Sequence, residues 1–422
     1  MRTDAWLLSY GLLGFTQNGL LPILLPLVAP AGSSAGTTYA AFALLGLFAP
    51  VMGTWADRTG RHRDLLIWGT LMSGLLLLLF ELGSAPARVV LAAGAGLGAM
   101  AATTAGNVLA IQGWPEAEWD GRVAGLQRFI SAGQVVGLIG AGVLAHSAPS
   151  YGFVVAGGAL LAAGALAFAT APGRLPRNSR DKPVGRPMVG GDAGVTAAHH
   201  QGHHVGWQEL RAYLAVINQP LRRFLIVWLV AYPAMNGIAT MFPVAMTREF
   251  GMDPILPSSA YAIGVGFSLL LYPKIGVATH RLGGGRMLIA GLGARLLLLI
   301  LLTPAGVWHS QWAGWSILVG FALIQLVWPL LGVAANALSV RLAPTARGES
   351  VGLFNAATSL AASVGSALAG VIFSAAGFAA LTGITCLSIA VALVLAILWV
   401  PRRHPSLSAC AGRYSPPVDQ PQ

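Results

Sequence analysis

Gly53-Thr54-Trp55-Ala56-Asp57-Arg58-Thr59-Gly60-Arg61-His62-Arg63 stands between two long apolar blocks. Gly276-Val277-Ala278-Thr279-His280-Arg281-Leu282-Gly283-Gly284-Gly285-Arg286 stands between two others in the second part of the chain. Gly53 aligns with Gly276, Arg58 with Arg281, Gly60 with Gly283 and Arg63 with Arg286, without gaps. A weaker echo joins Gly121-Arg122-Val123-Ala124-Gly125-Leu126 to Gly348-Glu349-Ser350-Val351-Gly352-Leu353. Repetition at this scale, inside apolar blocks, means two copies of one membrane unit.

Around these loops the chain is apolar to a degree that no water-soluble domain sustains. Of its 422 residues 55% are hydrophobic and only 9% charged, against about 25% charged in soluble proteins. The apolar residues fall into blocks of the length that crosses a hydrocarbon core about 30 Å thick. Six precede Pro172, at 6–28, 38–56, 65–82, 89–112, 123–145 and 153–170, and six follow Asn218, at 224–246, 259–279, 287–305, 313–338, 351–376 and 379–400. In lipid every backbone amide must be satisfied internally, and barrel strands would be half as long and alternating, so the blocks are predicted to be helices. The expected fold is an all-α membrane protein of twelve transmembrane helices in two pseudo-symmetric six-helix bundles. The first apolar block is read as a retained helix and not a leader, because it is long and carries Gln17, Asn18, Pro22 and Pro26.

Four regions follow from the composition. Residues 1–172 form an N-terminal bundle and 219–401 a C-terminal one. Residues 173–218 form a cytoplasmic linker rich in Gly, Pro, Arg and His that ends in an interfacial helix at Trp207 to Arg223, and 402–422 form a cytoplasmic tail. Cytoplasmic connections hold the excess of Lys and Arg. With both termini inside, all of the 25 basic residues except Arg88, Arg248 and Arg295 fall on or near the cytoplasmic side. The net charge of +11 is thereby a topology signal and not a nucleic-acid patch. His199, His200, His203 and His204 are a weak metal-binding candidate in the linker. The two cysteines suggest neither a disulfide nor a metal site.

The chain resembles the major facilitator superfamily, through Gly53, Asp57, Arg58, Gly60, Arg61 and Arg63 in the connection between the second and third blocks, and through its twelve spans. The resemblance covers essentially everything outside the linker and tail. It implies a gating role for this motif and for its partner Gly276, Arg281, Gly283 and Arg286, with His280 standing where the first copy has Asp57. The fifth block, with Gly125, Gly133, Gly137, Gly140 and Gly142, resembles the glycine-rich motif of proton-exchanging exporters, although Leu138 and Ala141 depart from it. That resemblance tips the expected direction toward efflux.

The resemblance also implies that spans one, four, seven and ten surround a central cavity. Polar groups inside a span are costly unless they line water or pair. Gln17, Asn18, Thr103, Thr104, Asn107, Trp228, Tyr232, Asn236, Gln325 and Trp328 are therefore the expected cavity residues, with interhelical hydrogen bonding as the competing role for each. Arg128 and Arg295 lie about two turns into their spans. Arg128 is the anion or coupling candidate and is also able to snorkel to the surface, whereas Arg295, on a span peripheral in the resembled fold, is expected to be structural. No Asp or Glu lies near the centre of a predicted span, so the residues themselves establish no proton coupling.

The expected function is secondary active transport of a small solute, such as a drug, sugar or metabolite, by alternating access across a bacterial inner membrane. Two alternatives are a non-transporting assembly factor or sensor of the same fold, and an uptake or facilitative transporter of an anionic metabolite. No organic cofactor, no nucleic-acid partner and no catalytic constellation is expected, the partners being the solute, the bilayer and protons as coupling ion, with a monomer as the unit. The absence of a Gly-x-x-x-x-Gly-Lys-Ser loop argues against direct ATP drive.

Overall fold

A computed structural model describes residues 4–28, 34–111, 114, 118–173, 219–307, 311–342 and 347–400. The expected linker, its histidines and the tail lie outside these residues. Only the last residues expected in the interfacial helix are described, and they continue directly into the seventh helix.

Among the described residues nine helices are long and apolar enough to cross a bilayer. The longest, Ser350–Trp399, covers two spans, because its backbone reverses at Gly377, where φ is +73°. Two further crossings are built from shorter pieces. The first runs through Leu7–Gly14, the π-helical turn Phe15–Leu20 and Leu21–Val28; the second through Ser34–Leu44, the 3-10 turn Leu45–Phe48 and Ala49–Thr59. The twelve crossings are named α1 (4–28), α2 (34–59), α3 (62–82), α4 (85–111), α5 (119–147), α6 (149–170), α7 (219–248), α8 (255–282), α9 (284–307), α10 (311–341, broken at Val327), α11 (347–376) and α12 (378–399). Each follows the apolar block that predicts it to within a few residues at either end.

The two halves repeat one packing device. In the first, α1 and α5 cross at backbone contact: Gly133 faces the Gly11 carbonyl, and Gly137 faces Phe15 and Gly19. In the second, α7 and α11 cross the same way, with Gly365 against the backbone of Pro233 and Gly237 against Ala369 and Gly365. A Cβ at Gly133, Gly137, Gly237 or Gly365 would overlap its neighbour, and small residues that let helices approach are how membrane bundles pack without a hydrophobic drive.

The halves meet along two seams. One joins α5 to α8 and runs from Ala124 beside Gly276, through Ser131 on the Tyr272 hydroxyl at 3.1 Å, to Gly142 beside Ser258. The other joins α2 to α11, where the Ser363 hydroxyl donates to the Ala40 carbonyl at 2.9 Å and Ser359 lies on Gly46.

Candidate functional site

The repeated loops sit at one end of the bundle, called here the basic end. Gly60 ends α2 with φ of +67°, and Gly283, its partner in the repeat, ends α8 with φ of +92°. Both positions have a positive φ that glycine adopts without a Cβ penalty, but the turns differ: ψ is 21° at Gly60, a left-handed cap, and 142° at Gly283, where the chain leaves the helix extended. Arg63 reaches back to α6, donating to the Phe168 carbonyl with its guanidinium 5.7 Å from the Phe168 ring. Arg61 lies 3.8 Å from Asp64. Gly53 and Gly276 are buried, and Arg281 and Arg286 are exposed. The side chains of Asp57 and Arg58 lie outside what is described. A further tie at this end joins Arg122 of α5 to Asp4 of α1 at 2.9 Å and to the Ala110 carbonyl of α4 at 2.8 Å.

The opposite end carries a contact between the halves. His146 Nδ1, at the end of α5, lies 3.1 Å from an Asp253 carboxylate oxygen in the α7–α8 connection. Nearby, the Glu249 carboxylate accepts the Phe378 backbone N–H at 3.0 Å. It caps α12 just after the Gly377 turn, using the orphan donors of a helix start.

Between the ends, the polar side chains of the second half converge on one level. Tyr232 stacks on Trp228 at 5.1 Å and faces Trp328 at 6.2 Å. Trp328 follows the break in α10, where Pro329 has no N–H to offer the Gln325 carbonyl. Gln325 is 5% exposed, and its Nε2 has no hydrogen-bond partner. Gln325 packs on Gly264 of α8, one turn from Tyr261, whose ring meets Phe321 edge-on at 5.2 Å.

Arg295 belongs to this level. Gly291 meets Leu330 and Leu331, and Gly320 meets Leu302, an antiparallel register of α9 on α10 that brings residue 295 level with Leu326 to Trp328. The side chain is 2% exposed, its Nε and Nη1 have no hydrogen-bond partner, and its electrostatic neighbours are the Tyr261 and Tyr232 hydroxyls. Tyr39 of α2 has the same two tyrosines as electrostatic neighbours across the seam, and the Gln134 side chain of α5 lies beside Tyr261. Sequence reasoning restricted to spans one, four, seven and ten misses Tyr39, Gln134 and Tyr261, and assigns Arg295 a structural role from the peripheral position of its helix. The cost of a polar group inside a span, applied to every helix alike, is the signal that finds them.

Other expected cavity residues separate into two groups. Asn236 gives its amide nitrogen to the Ser366 hydroxyl at 2.7 Å and the Ala362 carbonyl at 3.1 Å, and Trp228 gives its indole N–H to the Thr358 hydroxyl at 2.9 Å. Both therefore tie α7 to α11. In the first half, Gln17 and Asn18 lie on the π-helical turn of α1, a distortion frequent at functional sites. The Thr103 hydroxyl is 3.5 Å from the Gln17 side-chain oxygen, while Gln17 Nε2 and the buried Thr104 hydroxyl have no partner. The Asn107 side chain is outside the described set. Arg128 is exposed.

No group of His, Cys, Asp or Glu among the described residues could hold a metal ion. The carboxylates Asp4, Asp64, Glu81, Glu249 and Asp253 lie at the bundle ends, each engaged with an arginine, a histidine or a backbone N–H. Glu118 is exposed at the start of α5.

Three solved structures share this architecture. A mutant of the nucleoside transporter NupG is 12% identical, with 93% of this chain and 98% of that chain covered at a TM-score of 0.66. A D-xylose-proton symporter is 16% identical, covering 94% and 97% at 0.68. The human organic anion transporter MFSD10 is 16% identical, covering 93% and 97% at 0.66. At these identities the likeness speaks for the fold. No curated protein matches the sequence. The family profile described as Major Facilitator Superfamily matches residues 6–344, and with that match over most of its length this multi-pass membrane chain belongs to the major facilitator superfamily.

Proposed function

We propose that the protein is a secondary transporter that carries a small solute across the membrane by alternating access, with the basic end in the cytoplasm. The observation that carries this reading is the mid-bundle level of buried, unpartnered polar atoms, Gln17 Nε2, Thr104 Oγ1, Gln325 Nε2 and the Arg295 guanidinium. Such atoms are costly in a membrane unless they meet water or solute. They lie on helices of both halves, and transporters built from two such halves bind their cargo between them.

The cycle would open one end while the other closes. At the far end His146 and Asp253 join the halves, and at the basic end the Gly53–Arg63 segment, two helix ends joined through Gly60 and Arg61, is the latch, with Asp57 as its gating residue. The membrane is a bacterial inner membrane, both termini are cytoplasmic, and one chain is the working unit because it contains both halves. The proposed direction is export, supported by the resemblance of α5 to exporter sequences. Gly133, Gly137 and Gly142 of that motif are accounted for by close packing, whereas Gly125 has no neighbour within reach. The similar structures are those of transporters for a nucleoside, for xylose with protons and for organic anions, and these classes span the range of solutes to be screened. Protons as coupling ion would need a carrier other than the described carboxylates.

The test is flux into proteoliposomes, measured as solute-dependent current or tracer exchange against a panel of sugars, nucleosides and organic anions. Saturable flux for one class is expected, together with normal insertion but at least tenfold slower flux for Asp57→Asn, about 1.4 kcal/mol on the rate-limiting barrier. Flux at the protein-free level for the whole panel would contradict transport, and normal flux in Asp57→Asn would remove the latch role.

A further inference from the structure

Arg295 is a charge without a counter-charge. It sits in the middle of a span, 2% exposed, with Nε and Nη1 lacking any hydrogen-bond partner. The described ion pairs all lie elsewhere. A guanidinium taken out of water is expensive unless it is paired, and arginines inside membrane bundles face partners or pathways. Its electrostatic neighbours are Tyr232 and Tyr261, polar side chains that carry no negative charge at neutral pH. The Gln325 Nε2 stands at the same level as one more donor without an acceptor. The level thus holds donors in excess of acceptors, the inverse of a site for a cation.

Beside it lie ring faces. Tyr232 and Trp328, both half-buried, stand 6.2 Å apart between ring centres. Arg128 is exposed, so among the buried described arginines and lysines a single guanidinium is available, enough for a single negative charge.

We propose that Arg295 is the anion-recognising residue of this site and that the solute is a small organic monoanion, its charged group on Arg295, Tyr261 and Gln325 and its apolar body against Tyr232 and Trp328. This deepens the transport reading and rests on it for the cargo, but binding at Arg295 can be tested without flux. A carboxylate matches the planar fork of the guanidinium, which a lysine would meet only as a point charge.

The experiment compares matched acids and amides on the purified full chain in detergent at neutral pH: benzoate with benzamide, phenylacetate with phenylacetamide, lactate with lactamide. Each is titrated against wild type, Arg295→Gln, Arg295→Lys and Arg128→Gln by thermal shift, since a ligand that binds the folded state raises its stability. At least one acid should stabilise wild type where its amide does not. Arg295→Gln should weaken that acid about tenfold or more, the loss expected for a charge-assisted hydrogen bond. Arg295→Lys should keep part of the preference and Arg128→Gln all of it. Without ligand, Arg295→Gln should melt no lower than wild type, because an unpaired buried charge is removed.

The assignment is overturned if no acid on the panel shifts wild type, if acid and amide act alike, or if Arg295→Gln keeps the acid preference. A ligand-free Arg295→Gln that melts well below wild type with the preference intact would make Arg295 a packing residue. Saturable flux of a neutral solute with no acid preference removes the anion class and leaves transport standing. Acid-selective binding lost in Arg295→Gln, without any current for that acid, leaves the anion site and removes transport.

Discussion

The two halves of this protein share a scaffold and divide the chemistry unequally. Gly133 and Gly137 on α5 do for α1 what Gly365 does for α7, and Gly60 and Gly283 end their helices with a positive φ at corresponding places in the repeat. The mid-bundle groups do not match in this way. The first half offers an amide and two hydroxyls, Gln17, Thr103 and Thr104, on or near a π-helical turn. The second offers a buried arginine, two tyrosines, a glutamine and an aromatic wall. Symmetry is kept where backbone geometry needs it and dropped at the level proposed to hold the solute.

The strongest way to break the scaffold comparison is to overfill both crossings. Gly133→Leu and Gly365→Leu should each cost about 3 kcal/mol, since the clash is with backbone that has nowhere to retreat. Gly125→Ala, with nothing near it, should be silent; thermal aggregation in detergent reads all three. Unequal losses at 133 and 365 would mean that the crossings are not equivalent.

A smaller effect is expected at the turns. Gly60→Ala should lose about 1 to 2 kcal/mol through its left-handed backbone, and Gly283→Ala about 1 to 3 kcal/mol, because its φ of +92° with ψ of 142° is close to a region that only glycine populates, both measurable as melting temperature. A Cβ at Gly60 meets nothing, so any loss there is purely conformational. Smaller again, Asn236→Ala should cost about 0.6 kcal/mol, the average for an interhelical hydrogen bond in a membrane bundle. Gln325→Ala should leave stability unchanged and alter ligand affinity, which separates a residue bonded to its neighbour from one left open. Least of all, His146→Ala removes an exposed pair worth under about 1 kcal/mol. Its readout is the population of molecules open at the far end and not the melting point.

Much of the scaffold is legible in the sequence because it is written in lengths and turns. Blocks of lipid-spanning length, with glycine and basic residues between them, determine twelve crossings to within a few residues. Gly377 marks the turn between α11 and α12 even though the helical stretch continues on both sides. Radial direction is harder to read. A helix with lipid on one side and protein on the other is apolar all round, so no polar stripe says which face is inside. For this reason Asn236 and Trp228, expected in the cavity, are bonded to α11, and Arg295, on a helix expected to be peripheral, is buried with Tyr232 and Tyr261 as its electrostatic neighbours. A long side chain carries its charge several ångströms from its own backbone, a displacement that a string of letters does not record.

Spin labels placed across the halves test alternating access directly. With Cys386 and Cys410 removed, one pair would sit at the far end, on Tyr151 and Trp312, and one at the basic end, on Arg61 and Arg286, all exposed positions. Pulsed electron resonance should find two distance populations for each pair, with the far-end distance long when the basic-end distance is short, and binding of solute should shift both together. A single unchanging distance at both ends, with and without solute, would contradict a transporter that rocks about its centre.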